Sequence, residues 1–191
     1  MIFRPARPDD AAAMAAIHLP YVRDTAVTFQ YELPDEQFFL RKMQALAAFP
    51  FLVCEEGGQV RGFAYASALR SKEAYQWDAE TTVYLDPACC GQGAGSGLYA
   101  RLLALLKAQG YQAAYACVTA PNPASFALHR RFGFAEVGRF PAAGYKLGAW
   151  HDVVWLRLPL AEHPLSPAPP VAFGALPTDT VNHILAKGDA L

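Results

Sequence analysis

The chain reads as one mixed α/β domain, on three observations. Its 191 residues are enough for one hydrophobic core and few for two. A composition that is 53% hydrophobic, 13% aromatic and only 17% charged excludes general disorder. Beta-rich runs bounded by Gly and Pro alternate with amphipathic segments of helical period, the pattern of helices laid on a sheet.

Taken in order, residues 2–4 form a strand, and Asp9 or Asp10 caps a helix over 11–18 that is expected to end near Pro20. Pro34 and Asp35 start a second helix, which turns Phe38, Phe39, Met43 and Leu46 inward and is closed by Pro50. A strand over 51–54, a turn at Gly57-Gly58 and a returning strand over 60–68 make a hairpin. A β-rich run over 81–85 follows, ended by Asp86-Pro87. The loop Gly91-Gln92-Gly93-Ala94-Gly95-Ser96-Gly97 feeds a helix with Leu98, Leu102 and Leu105 on one face and Gly110 past its end. Residues 113–118 give the next strand. Asn122, Pro123 and Ser125 open a helix through Phe132 that closes at Gly133, and residues 134–140 and 153–160 supply two more strands. The domain is therefore assigned to residues 1–160. In the tail, 161–191, Pro164, Pro167, Pro169, Pro170 and Pro177 mark extended chain, with a short helix over 181–186, and the whole segment is expected to lie outside the core.

Several function classes drop out at this level. A net charge of −1 gives no global attraction for nucleic acid or an anionic membrane. No apolar run approaches the roughly 18 residues of a membrane span, and the N-terminus lacks a signal-peptide pattern, so a cytoplasmic location is expected. Cys54, Cys89, Cys90 and Cys117 include no CxxC spacing; they are expected to be reduced thiols, with no metal site.

Strand, glycine loop, helix is a layout for anions, because glycines let backbone N–H groups approach a ligand at the positive end of a helix. A Walker loop is excluded by the absence of Gly-Lys-Ser/Thr, the first lysine beyond the loop being Lys107. A dinucleotide fingerprint is excluded because no Asp or Glu occurs over 91–135 to hold a ribose. That acid-free stretch carries Arg101, Lys107, Arg130 and Arg131, a local anion field suited to coenzyme A.

Val83-Tyr84-Leu85 followed by Gly93-Ala94-Gly95, and then Asn122 and the run Ser125-Phe126-Ala127-Leu128-His129-Arg130-Arg131-Phe132-Gly133-Phe134, resemble the coenzyme A motifs of the GNAT superfamily of N-acetyltransferases. Ala74-Tyr75-Gln76-Trp77-Asp78-Ala79-Glu80-Thr81-Thr82, Gly95-Ser96-Gly97-Leu98-Tyr99 and the block from Ala142-Ala143-Gly144-Tyr145-Lys146 to Trp150-His151-Asp152 are similar to the phosphinothricin and methionine sulfoximine acetyltransferases. The similarity runs over about residues 2–160. It implies a mixed, mostly antiparallel sheet splayed at its central strands and flanked by helices. It also implies acetyl transfer from acetyl-CoA to the α-amino group of a small amino acid of the phosphinothricin, methionine sulfoximine or methionine sulfone type, and a homodimer. Two other readings stay open: a different amine acceptor, such as a polyamine, antibiotic or protein N-terminus, or a catalytically silent acyl-CoA-binding module.

The resemblance also suggests roles for individual residues. Glu80 is either a solvated strand-end carboxylate or, as implied, the base that takes the ammonium proton. His129 is either a packing residue or a group that protonates the leaving thiolate or assists Glu80. Backbone groups of Val83, Tyr84 and Leu85 would hold the pantetheine arm and polarise the thioester carbonyl, with Gly91, Gln92, Gly93, Ala94, Gly95, Ser96 and Asn122 completing the coenzyme site. Arg70, Lys72 and Tyr75 would bind the acceptor's acidic groups, with Phe29 as a pocket wall. Cys90 stands where the superfamily usually has Gln or Arg, and Gly91 where the subfamily often has Arg, so coenzyme binding is expected to rest on backbone donors. Cys89-Cys90 beside a thiol cofactor also raises a mixed disulfide.

Overall fold

The computed structural model describes residues 1–89 and 91–188. In chain order the elements are β1 (Ile2–Pro5), α1 (Ala11–Asp24), α2 (Glu36–Ala45), β2 (Phe51–Glu56), β3 (Gln59–Ala68), β4 (Asp78–Leu85), α3 (Ala94–Gln109), β5 (Ala113–Ala120), α4 (Pro123–Arg131), β6 (Ala135–Lys146), β7 (Ala149–Pro159) and α5 (Thr178–Lys187). The strands form one sheet in the order β1-β2-β3-β4-β5-β7-β6, antiparallel except for the β4–β5 pair.

Side-chain alternation along the strands divides the interior into two layers. On one face Phe51, Val53, Phe63 and Tyr65 pack with Met14, Ile17 and Phe39 of α1 and α2. On the other, Leu52, Ala64 and Ala79 pack with Leu98, Leu102, Leu105 and Leu106 of α3.

The parallel β4–β5 contact is short: Asp78, Ala79 and Glu80 lie opposite Ala113, Ala114 and Tyr115, and pairing then stops although β4 runs on to Leu85 and β5 to Ala120. The two strands splay from Glu80 onward, as the resemblance implied. A buried relay pins the vertex: Tyr99 donates to Thr81 Oγ1 at 2.6 Å, and Thr81 donates to the Tyr115 carbonyl at 2.9 Å. Every polar group at that point thereby has a partner, which a dry vertex requires.

The structure departs from the sequence expectations in four places. Helix α1 continues through Pro20 to Asp24. Proline costs one backbone hydrogen bond there, and the last turn is held instead by buried Val22, by Tyr21 Oη donating to the Leu85 carbonyl at 2.7 Å and by Thr25 Oγ1 donating to the Tyr21 carbonyl at 2.7 Å. Helix α3 starts at Ala94, so Gly95, Ser96 and Gly97 belong to its first turn rather than to a loop. Strands β6 and β7 extend through the block at 141–152 as a long hairpin turned at Leu147-Gly148. Strand β6 is an edge strand with bulges and little burial, so it lacks the alternation by which a strand is read. The tail is not outside the core. Gln109 Nε2 donates to the Val171 carbonyl at 2.7 Å, Trp77 Nε1 to the Ala168 carbonyl at 2.9 Å, and α5 buries Ile184 in the α3 layer.

Candidate active site

The wedge between β4 and β5 holds two connected cavities that share Val83, Tyr84, Asn122 and Ser125. The outer one, about 420 Å³, runs from Leu85 to Gly91, Gly93, Gly95 and Ser96 at the start of α3 and is rimmed by Arg131. The inner one, about 240 Å³, is lined by Glu80, His129, Phe29 and Cys117.

Backbone direction sets what the outer cavity can bind. The Asp86 N–H donates to the Arg61 carbonyl on β3 at 2.8 Å. Strand alternation therefore turns the Leu85 and Val83 amides the other way, into the gap that β5 has left. An extended amide-containing arm can add there as a strand would. Gly93 caps α3 in the left-handed region, at φ 88°, where a side chain would be strained. The first-turn amides of α3 have no intrahelical partners, so they and the helix dipole offer a diphosphate a seat. Gly91, Gly93, Gly95 and Ser96 line this seat. The side chains of Gln92 and Ala94 do not: Gln92 is exposed and reaches the Ala88 carbonyl, while Ala94 is buried in the core.

The expected field of four cations contracts to one. Helical period carries Arg101 to the far face of α3, where its guanidinium donates to the Gly97, Leu185 and Ala186 carbonyls and stacks on Phe3 at 3.9 Å. Lys107 lies near the opposite end of α3, and Arg130 lines a separate small pocket with Phe126 and Phe134. Cys90 lies outside the described residues; Cys89 is a buried free thiol.

In the inner cavity, Glu80 is half-buried, and burial pushes its carboxyl above the usual carboxylate range against the opposing pull of Arg70 and Lys42. His129 is 4% exposed, wedged edge-on against Tyr99 and Phe134, and burial lowers its pKa. Its Nδ1 lies 2.7 Å from the Ser125 carbonyl, which can only accept. The proton of the neutral ring therefore sits on Nδ1, leaving Nε2 as an acceptor. Asn122 caps α4 by accepting from the Ser125 N–H at 3.2 Å and lines both cavities.

Phe29 comes from the α1–α2 loop, which the β6–β7 hairpin pins over the cavity. Lys146 Nζ donates to the Thr28 carbonyl at 2.6 Å, Tyr31 Oη donates to the Tyr145 carbonyl, and the Phe29 ring fills the space where a Cβ at Gly144 would stand 2.2 Å away. The acid-binding cluster expected on the β3–β4 connection does not assemble. Arg70 stacks over Trp155 at 5.4 Å, close enough for its charge to act on Glu80, but it is exposed and, like Lys72 and Tyr75, lines neither cavity; a single 3-10 turn over Glu73–Tyr75 carries Lys72 and Tyr75 into solvent. Tyr84 contributes main chain; its ring packs on His18 and Tyr21 of α1. Tyr21, Cys117 and Ser125 line the wedge although none was assigned to the site from the sequence. For Cys117 the signal was strand alternation, which puts it on the same side of β5 as Tyr115, opposite Glu80. Among the described residues no group of His, Cys, Asp or Glu is positioned to hold a metal ion.

Comparison with known proteins yields concordant matches. A family model described as the acetyltransferase (GNAT) domain matches residues 3–155. A phosphinothricin N-acetyltransferase of Streptomyces viridochromogenes is 38% identical over 169 residues, 86% of this chain and 92% of that protein. An L-methionine sulfoximine/L-methionine sulfone acetyltransferase of Salmonella typhimurium is 33% identical over 165 residues, 85% of this chain and 96% of that protein. The crystal structure of a GNAT superfamily phosphinothricin acetyltransferase from Sinorhizobium meliloti, in complex with acetyl-CoA, aligns with a TM-score of 0.84 at 31% identity, covering 91% of this chain and 96% of that one.

Proposed function

The chain belongs to the GNAT family of acetyl-CoA-dependent acetyltransferases, and on that premise we propose that it acetylates the α-amino group of a small amino acid of the phosphinothricin, methionine sulfoximine or methionine sulfone type. The wedge carries this reading: it brings free strand amides, a glycine-capped helix start and a buried carboxylate into one continuous space. Relatives named for those acceptors support the substrate class.

In the reaction an amine nitrogen bonds to the thioester carbonyl carbon and the carbon–sulfur bond breaks. Glu80, whose carboxylate is made more basic by burial, takes the ammonium proton. Nε2 of His129 stands ready to receive a proton and, once charged, to return it to the departing sulfur. The Val83 or Leu85 amide donates to the carbonyl oxygen as negative charge builds there, the electrostatic contribution that matters most in acyl transfer. Gly91, Gly93, Gly95, Ser96 and Asn122 seat the coenzyme, while Phe29 walls the acceptor pocket and Arg70 draws the acceptor's acid toward Glu80. The reading includes a cytoplasmic homodimer. The three thiols among the described residues are unpaired, which suits a reducing compartment, no described helix is long and apolar enough to cross a membrane, and an exposed apolar face on the β6–β7 hairpin suits a second copy.

Steady-state kinetics on phosphinothricin, methionine sulfoximine, methionine sulfone and ordinary amino acids, followed by thiol release, provide the test. The wild type is expected to prefer the first three. Glu80→Gln should lower kcat/KM by about 10²–10⁴-fold with little change in the KM for acetyl-CoA. The wild-type profile should fall on the acid side at a pH above the usual carboxylate range, because protonated Glu80 cannot accept a proton. Absence of transfer to every amino acid, or full activity in Glu80→Gln, overturns the reading.

A further inference from the structure

Glu80 faces two spaces. Besides the inner cavity it lines a groove of about 470 Å³ between α2 and the outer face of β3 and β4. Tyr65, Glu80 and Thr82 line both, so groove and cavity adjoin at these side chains. The sheet register accounts for this: Tyr65 lies opposite Thr82 and Ser67 opposite Glu80, all on the face toward α2.

From α2, Lys42 reaches over this floor. Its Nζ donates to Tyr65 Oη at 2.9 Å and sits 4.7 Å from the Tyr65 ring centre and 5.1 Å from that of Phe38, with no carboxylate partner among the described residues. The aromatic rings hold the ammonium in place and shield one side from water. Tyr65 Oη accepts from Lys42, so its own proton remains to be given, and the Ser67 and Thr82 hydroxyls have no hydrogen-bond partner among the described residues. One fixed cation and three hydroxyl donors, with the exposed Arg41 at the rim, thus converge on a space that opens onto the proposed base.

We propose that this groove is the subsite for an oxyanion on the acceptor's side chain, with Lys42 as its cation and Tyr65, Ser67 and Thr82 as its further donors. The inference rests on the acceptor class proposed above and extends it. An amino acid whose amine meets Glu80 has room to send its side chain into the groove, where a phosphinate, sulfonate or carboxylate meets the donors. The acidic side chain then lies on the α2 side of Glu80, and Arg70 remains on the other side for the α-carboxylate. No local pattern marks this subsite, because Lys42 reads as an ordinary polar residue on an amphipathic helix.

The test compares an acceptor with an acidic side chain, phosphinothricin, against one with a neutral side chain, methionine sulfone, in wild type, Lys42→Met and Lys42→Arg. The methionine variant should raise the KM for phosphinothricin by about 10-fold or more, the loss of a charge-assisted contact, while shifting that for the sulfone by less than about 3-fold and leaving the KM for acetyl-CoA unchanged. Arginine should recover most of the loss. Equal effects on both acceptors, or no effect, overturn the subsite. Calorimetric titration of phosphinothricin into coenzyme A-saturated protein separates the two proposals. If the wild type acetylates no amino acid but binds phosphinothricin in a Lys42-dependent way, acetyl transfer fails and the subsite stands; if binding is absent or indifferent to Lys42, the subsite fails whatever the enzyme acetylates.

Discussion

Two buried histidines on the helices flanking the wedge carry opposite bookkeeping. His129 donates a hydrogen bond from Nδ1 to a carbonyl, whereas both ring nitrogens of His18 are buried without a partner among the described residues, with the ring 4.4 Å from Tyr84. Burial first, with Lys42 and Lys146 adding to it, pushes His18 down to about 4. An unfolded chain protonates this residue near its ordinary value of about 6.5, and the folded one does not until much lower pH. The contribution is therefore fully present above pH 6.5 and is lost as pH falls toward 4, by about 3 kcal/mol for a shift of this size. Urea unfolding between pH 7.5 and 4 should show that loss in the wild type and a much flatter profile in His18→Leu; parallel profiles would refute it. At this scale Glu80, Asn122 and His129 could be named as candidates, because each falls within a short run that resembles a family motif. Lys42 and Cys117 could not, because α2 and β5 bring them in from distant segments.

Among the elements, α3 shows how much a helix depends on what covers its other face. The glycines at its start serve the coenzyme seat, while Arg101 on the opposite face gives its donors to the C-terminal carbonyls of α5. The prolines announced an extended tail. They carried no information about its docking, since the tail bonds through its own main chain, to the Gln109 and Ala48 carbonyls and to the Gln109 and Trp77 side chains, whatever side chains it carries itself. Arg101→Met should lower stability by about 2 kcal/mol, the net worth of hydrogen bonds from a charged group, with the denaturant slope unchanged. It should also speed proteolytic release of residues 161–188. If the midpoint in guanidinium is unmoved, α5 is merely resting on the surface.

At the scale of the molecule, the β6–β7 hairpin joins the acceptor pocket to an apolar face. Phe140, Tyr145, Leu147 and Trp150 are each more than half exposed, beside the loop that carries Phe29. A second copy covering this face would steady the pocket wall, so Trp150→Asp should both dissociate the proposed dimer in sedimentation velocity and raise the acceptor KM. A monomeric wild type at micromolar concentration would rule out that coupling. The order of elements, the helix caps and the glycine loop could be read from the chain because each is a local pattern: a spacing, a capping residue, a run of β-branched side chains; the candidate base came only with the family resemblance. The tertiary structure alone decided the residue at which β4 parts from β5, the removal of Arg101 from the anion seat, the tautomer of His129 and the convergence of Lys42 with Tyr65, Ser67 and Thr82. Each of these depends on which faces of separate elements meet, a matter settled by packing across the sheet rather than by spacing along it.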